Sequence, residues 1–151
     1  MPTGKPVAIK KLHNIFQNAQ DAKRCLREIQ ILRSMPRHPN VVKVYDVIEP
    51  TESSMTFKEL YFVFEYQKLD LAKMMNAGVK LQEMNVKIMM FNLLCGLNFI
   101  HSAGVVHRDI KPANILCNEY CQAILADFGL ARQTAGLMDT EFLCPLDSAS
   151  A

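Results

Sequence analysis

Glycine and proline are sparse, at six and seven of 151 residues. Counts this low exclude collagen-like and low-complexity chains. Neither sign of charge dominates: seventeen Lys and Arg stand against fifteen Asp and Glu, a formal net charge of +2. Charge alone therefore argues for neither a nucleic-acid partner nor an anionic membrane. No uninterrupted apolar run approaches the roughly 18 residues of a membrane span. The opening residues, Met1-Pro2-Thr3-Gly4-Lys5, lack the apolar core of a secretory signal. Cysteine is limited to five scattered positions, Cys25, Cys95, Cys117, Cys121 and Cys144. An odd set without a secretion signal favours reduced thiols and a cytoplasmic or nuclear setting. Cys117 and Cys121 lie four apart with no second Cys/His pair at finger spacing, so zinc is not expected. What is present is ordinary globular material. Half the residues are hydrophobic and 21% are charged, and the length suits one domain.

Apolar patterning divides the chain into elements. Val7-Ala8-Ile9-Lys10-Lys11-Leu12 is β-branched and predicts a strand. A helix follows, with Asn18 as its N-cap and Asp21 three residues on. Ala22, Cys25, Leu26, Ile29 and Leu32 recur at helical spacing until Ser34 to Pro36 stops it. His38-Pro39-Asn40 predicts a turn. Val41 to Ile48 and Leu60 to Phe64 predict two strands joined by a polar loop around Pro50 to Ser54. Asp70 to Asn76 predicts a short helix stopped by Gly78. The next helix runs from about Gln82 to Ser102 and closes at Gly104. Ten of the fifteen residues from Lys87 to His101 are apolar, so burial on most sides is expected. Val105 to Leu116 predicts strand and loop, and Ala123 to Ala126 a short strand. After Arg132 the residues turn polar and small. There is no internal repeat and no Gly/Ser linker. The order suggests a small β-rich lobe followed by the start of a larger helical lobe, an α+β arrangement.

The string His107-Arg108-Asp109-Ile110-Lys111-Pro112-Ala113-Asn114 is the most specific in the chain. Eighteen residues beyond Asp109 stands Asp127-Phe128-Gly129. Near the N-terminus stands Val7-Ala8-Ile9-Lys10, and eighteen residues beyond Lys10 is Glu28, on the first predicted helix. Each is ordinary when taken singly. A strand lysine is usually solvated, a glutamate beside Arg24 and Arg27 suits a helix surface, and Asp and Asn are common in turns. Together, in this order, they resemble the signature set of eukaryotic protein kinases. The resemblance covers about residues 5 to 133.

The resemblance implies a protein-kinase-like two-lobed fold and transfer of the ATP γ-phosphate, with Mg²⁺, to a protein hydroxyl. Such transfer depends on positioning and charge neutralisation. Strand alternation puts Ala8 and Lys10 on one face and Lys11 on the other. The family pattern then implies that Ala8 lies over the adenine and that Lys10, paired with Glu28, reaches the α/β-phosphates. It implies Asp109 as catalytic base and Lys111 as the neutraliser of charge on the transferred phosphate. A lysine at that place is the serine/threonine rather than the tyrosine form. Asn114 and Asp127 are implied as Mg²⁺ ligands, with phosphates and water completing the shell. Leu60-Tyr61-Phe62-Val63-Phe64-Glu65-Tyr66-Gln67 resembles the strand leading to the kinase hinge. On that likeness Phe64 closes the back of the adenine pocket and Leu116 forms its floor opposite Ala8. The Glu65 carbonyl and the Gln67 N–H meet the adenine edge. Phe64 and Leu116 equally suit core packing, and the two roles are compatible.

Within the family, Phe16-Gln17-Asn18, Ala22-Lys23-Arg24, Leu26-Arg27-Glu28-Ile29 and Phe99 to Val106 are similar to the mitogen-activated protein kinase (MAP kinase) branch. So is Asp127-Phe128-Gly129-Leu130-Ala131-Arg132. Cyclin-dependent kinases share this last segment and the hinge type, but their characteristic first helix is absent. Thr140-Glu141-Phe142 lies thirteen residues after Asp127, about where MAP kinases carry a Thr-x-Tyr phosphorylation motif. Phenylalanine replaces the tyrosine, leaving Thr140 alone. Arg24, Arg27 and Arg108 would form the arginine cluster that phosphothreonine orders. Protein substrates and an upstream kinase are the partners implied, with neither nucleic acid nor membrane.

The family's glycine-rich loop has no counterpart before Val7. Its Ala-Pro-Glu motif and later helices have none after Phe142. The expectation is a partial kinase domain over residues 1–142, with 1–66 in the N-lobe part and 67–142 in the C-lobe part, and an unrelated tail over 143–151. On that expectation the helix at Gln82–Ser102 leaves large apolar side chains outside. Burying each would be worth about 1.5–3 kcal/mol, against a typical net stability of about 5–15 kcal/mol. The rival reading is a catalytically inactive kinase fragment acting as a nucleotide- or partner-binding module.

Overall fold

The computed structural model describes residues 4–13, 18–49 and 59–134. Strand β1 (Val7–His13) pairs antiparallel with β3 (Glu59–Glu65), and β3 pairs on its other edge with β2 (Val44–Ile48). Between β1 and β2 in sequence lies helix α1 (Ala19–Ser34), begun where the Asn18 side chain accepts a hydrogen bond from the Gln20 N–H at 2.9 Å. The chain continues through β4 (Leu69–Asp70), α2 (Leu71–Asn76), α3 (Glu83–Ser102) and β5 (Val105–Val106). It ends in β6 (Ile115–Cys117), β7 (Ala123–Leu125) and β8 (Arg132–Gln133). The later strands form a three-stranded sheet of order β4-β6-β7 and a pair β5-β8. The result is a β-rich part with one helix, followed by a mainly helical part, as in an incomplete kinase-like two-lobed fold. No described helix is long and apolar enough to cross a membrane.

Local chemistry sets the ends of the elements. The Asp70 carboxylate caps α2 by accepting from the Lys73 N–H at 2.8 Å, so Asp70 precedes the helix that the sequence predicts to begin there. Gly78 and Gly104 sit at φ +66° and +67° after α2 and α3, a conformation that costs a residue with a Cβ.

Two expectations are corrected. Leu26 belongs to the predicted apolar stripe of α1, yet it is 55% exposed. Cys25 of that stripe is buried as expected, and Glu28 and Ile31 are buried with it. The strand predicted from Val41 starts at Val44, because the preceding residues are taken by another partner. The Leu125 N–H donates to the Asn40 carbonyl and the Val42 N–H donates to the Leu125 carbonyl, each at 2.8 Å. Val41 thus bridges to β7 in parallel register rather than continuing β2. The Asn40 side chain extends this seam, donating to Asn92 Oδ1 at 2.6 Å and to the Ala123 carbonyl at 3.0 Å. His38 stacks on Phe99 with ring centroids 4.5 Å apart.

The main core crosses this seam. Cys25 and Ile31 of α1 share it with Phe62, Phe64, Ile100, Leu125 and Phe128. A smaller core joins Met74, Met89, Ile115 and Cys117. Helix α3 buries one stripe, Met89, Gly96 and Ile100. Met84, Met90, Phe91 and Leu94 face outward, Phe91 at 65% exposure. Burial on most sides is therefore not reached among the described residues.

Gly96 lies where α3 meets the seam. A Cβ there would stand 2.8 Å from the Asn40 carbonyl oxygen and 3.1 Å from Leu125 Cδ1. That oxygen is held by Leu125 and cannot retreat. Alanine gains about 1 kcal/mol of helix propensity, but overpacking costs about 1–3 kcal/mol. Gly96→Ala is expected to lower the thermal midpoint followed by circular dichroism. An unchanged or raised midpoint would show that the seam yields freely.

Candidate active site

Between the β1-β3 surface and β6 lies a cavity of about 330 Å³. The residues predicted for the adenine side, Ala8, Phe64, Glu65, Gln67 and Leu116, all line it. A second hollow of about 380 Å³ holds Asp109 and Lys111 in its lining. Lys10, Glu28 and Asp127 line both, so the charged groups sit where the two hollows meet. Val42, Ala113 and Ala126 also line the first cavity and were missed from sequence. Ala113 and Ala126 stand next to Asn114 and Asp127, and that adjacency is the signal that could have found them. Val42 carried none, since its role depends on the seam.

Alternation along β1 separates its two lysines. Lys11 turns outward to Glu59 at 2.9 Å. Lys10 turns inward and its Nζ donates to Glu28 Oε2 at 2.8 Å. The same ammonium is 4.0 Å from Asp127 Oδ1. The Glu28 side chain is 4% exposed, and burial raises its pKa above the usual 4.5. The Lys10 charge and hydrogen bond pull it down, and the Asp127 charge raises it further. Burial is the largest of these effects, and the Lys10 ammonium and the Phe128 N–H favour the carboxylate against it.

The loop after β5 is built around His107, which is 1% exposed. Its Nδ1 accepts from the Asp109 N–H at 3.3 Å, so its Nε2 carries the proton and donates to the Ala126 carbonyl at 3.0 Å. Burial lowers the His107 pKa, and its ring meets Phe128 edge-on at 4.8 Å. Arg108 and Asp127 take left-handed backbone at φ 67° and 61°, at a cost of about 1–2 kcal/mol each. Two local contacts offset this: Arg108 Nε donates to the Leu130 carbonyl at 2.9 Å, and Asp127 Oδ1 accepts from the Gly129 N–H at 3.3 Å.

Asp109 Oδ2 accepts from both Lys111 Nζ and Asn114 Nδ2, each at 2.8 Å. The Lys111 hydrogen bond is the main reason its pKa is lowered, so Asp109 is ionised at neutral pH. Asn114 Nδ2 also donates to the Asp109 carbonyl at 2.9 Å. With its amide nitrogen fixed in this way, Asn114 has its Oδ1 left to accept. One amide oxygen and one carboxylate, Asp127, fit a hard cation that takes its other ligands from phosphate and water. Among the described residues no group of three or more His, Cys, Asp and Glu could hold a metal by itself. Burial pushes the Cys117 thiol up to about 11, which makes it a poor ligand.

The predicted arginine set is brought together in part. Arg27 Nη1 donates to the Gly129 carbonyl at 3.2 Å, beside the Arg108 contact with Leu130. Arg24 lines the second hollow together with Gly129 and Leu130, its guanidinium 3.8 Å from the Asp21 carboxylate. Arg132 is the arginine that sequence reasoning missed. Its pKa is lowered by burial and then by the nearby charges of Arg108 and Arg27. Thr140 lies outside the described residues.

A family model described as the protein kinase domain matches residues 1–144. The chain belongs to the protein kinase family. Its relatives include mitogen-activated protein kinase 7 of Arabidopsis thaliana, 44% identical over 134 residues, covering 89% of this chain and 36% of that protein. Mitogen-activated protein kinase 13 of Mus musculus is 45% identical over 139 residues, covering 92% and 36%. Mitogen-activated protein kinase 1 of Oryza sativa subsp. japonica is 43% identical over 141 residues, covering 93% and 34%. This kinase is MAP-kinase-like, and the chain spans about a third of the length of these relatives.

A raised carboxyl pKa means that folding favours protonated Glu28. Its contribution is greatest below the usual value of 4.5 and is lost as pH rises through the raised one. Glu28→Gln removes this titration. The stability difference between the two proteins, from urea melts at about pH 4 and about pH 7, is expected to move against the unsubstituted kinase at the higher pH. A pH-independent difference would contradict the burial argument.

Proposed function

We propose that this chain forms the nucleotide cleft and catalytic loop of a MAP-kinase-like serine/threonine kinase. The observation that carries the reading is the meeting of Lys10, Glu28 and Asp127 at the junction of the adenine-side cavity and the Asp109 hollow. Ala8, Phe64 and Leu116 enclose the adenine, with the Glu65 carbonyl and Gln67 N–H at its edge. Lys10, oriented by Glu28, holds the α/β-phosphates. Asn114 Oδ1 and the Asp127 carboxylate hold Mg²⁺, which when bound neutralises charge on the phosphates. Asp109, ionised at neutral pH, orients the substrate hydroxyl and accepts its proton as transfer proceeds. Lys111 moves from Asp109 to the transferred phosphate, and its place favours serine or threonine acceptors. The partners of this reading are protein substrates and an upstream kinase. Arg27, Arg108 and Arg132, gathered at the Gly129–Leu130 carbonyls, suit a phosphate on Thr140.

Titration with a fluorescent ATP analogue tests the cleft. Binding is expected to strengthen with Mg²⁺, and Lys10→Met is expected to weaken it about tenfold. Asp127→Asn is expected to remove most of the Mg²⁺ effect. Phosphate transfer to a Ser/Thr peptide array, compared with Asp109→Asn, tests the chemistry. Transfer that Asp109→Asn abolishes supports the kinase reading. Mg²⁺-dependent binding without such transfer favours the nucleotide-binding module. Binding indifferent to both Lys10→Met and Asp127→Asn overturns the assignment of the cleft.

Synthetic phosphorylation at Thr140 is expected to raise the thermal midpoint. The Arg27→Ala, Arg108→Ala double variant should erase the rise, and a rise that survives would exclude the cluster.

A further inference from the structure

On the far side of the wall formed by Val42 and Glu65 lies a half-open groove of about 480 Å³. The C-terminal end of α1, the turn at 36–39 and the start of β2 build it. Its apolar lining comes from Leu32, Met35, Val42 and Val44. Arg33, Arg37 and Lys43 also line it, and none of the three meets a carboxylate among the described residues. Lys43 Nζ instead lies over the ring of Tyr45, 4.4 Å from its centroid. Glu65 is the single acid of the lining. Burial lowers the His38 pKa, so that imidazole is neutral at pH 7. The groove thus carries a formal charge of +2, as large as that of the whole chain.

We propose that this groove docks an acidic peptide segment through an apolar anchor. A volume of this size lies within the range of small-ligand sites and takes one or two large side chains. The apolar lining gives those side chains a place out of water, and guanidinium groups that meet no carboxylate among the described residues can take a ligand's carboxylates in bidentate geometry. Three cations are few for a nucleic-acid backbone, whose affinity grows with the number of phosphates neutralised. Electrostatic attraction brings the segment in and the anchor fixes its register. The site is separate from the nucleotide cleft and does not depend on catalysis.

Fluorescence polarisation with the full chain tests this. The probe is a fluorescein-labelled peptide with a Leu-x-x-Phe core flanked by three glutamates on each side. Binding is expected with a Kd of about tens of micromolar, weakening as salt rises. The Arg33→Glu, Arg37→Glu double variant, at two exposed positions, is expected to weaken it at least about tenfold while the circular dichroism spectrum is unchanged. Lys43→Glu provides a second, independent loss. Replacing the probe's Leu and Phe with Ser, or its Glu with Lys, should abolish binding. The proposal is overturned if the probe does not bind, or if both charge variants bind it as well as the parent. It is also overturned if the Ser-substituted probe or a twelve-nucleotide RNA of mixed sequence binds equally well.

Discussion

The two hydrogen bonds between Leu125 and the Asn40–Val42 turn hold the two halves of this kinase chain in register. Each is worth only about 0.5–1.5 kcal/mol net, but their position matters more than their strength. Leu125 is the last residue of β7, and the chain runs from it through Ala126 into Asp127. The Ala126 N–H donates to the Asn114 carbonyl at 2.9 Å, and its own carbonyl accepts from His107. One seam therefore fixes the β1-β3-β2 sheet, the loop from His107 to Asn114 and Asp127 relative to one another. The Asn40 side chain, Gly96 and the His38–Phe99 stack all serve the close approach that the seam requires.

Electrostatics in the cleft depend on that framework. Lys10 arrives on β1 and Glu28 on the next element, α1, while Asp127 comes from beyond β7, far along the chain. Their contacts of 2.8 and 4.0 Å exist only when the sheet, helix and seam are all in place. Burial of Glu28 is unfavourable in isolation, and its carboxylate is tolerated because Lys10 reaches it. The cleft is thus polarised before any ligand enters, which is the preorganised charge that the proposed function calls on. Asp109 illustrates the same economy: Lys111 and Asn114 hold it ionised and oriented through one oxygen, Oδ2.

Much of this was legible in the residues. The alternation of β1 separated Lys10 from Lys11, the cap at Asn18 placed the start of α1, and the fixed offsets named the charged groups that the cleft gathers. What escaped had no local signal. The bridge of Val41 to Leu125 is a tertiary choice between two possible partners, and an apolar stretch looks the same with either. Strand β8 is two residues long and exists because Val106 meets Arg132, too short for any period to register. Leu26 fits the helical spacing of its stripe, yet exposure depends on what lies opposite. Arg132 ends the Asp127–Arg132 string with no local sign of its neighbours, and its place beside Arg27 and Arg108 requires the turn at Phe128–Leu130.

The outward face of α3 bears on how the chain is born. Its inner stripe is covered by β7, which lies about twenty residues further along the sequence. At synthesis rates of about 5–20 residues per second, α3 waits on the order of one to four seconds with its inner stripe covered only by earlier elements, through Met74, His38 and Asn40. Closure of β7 then hides Met89 and Ile100 but leaves Met84, Phe91 and Leu94 in water. A chaperone that grips apolar helices on the ribosome would therefore find the same surface before and after folding. For a chaperone of that kind, docking of β7 alone would leave its binding surface on α3 unchanged.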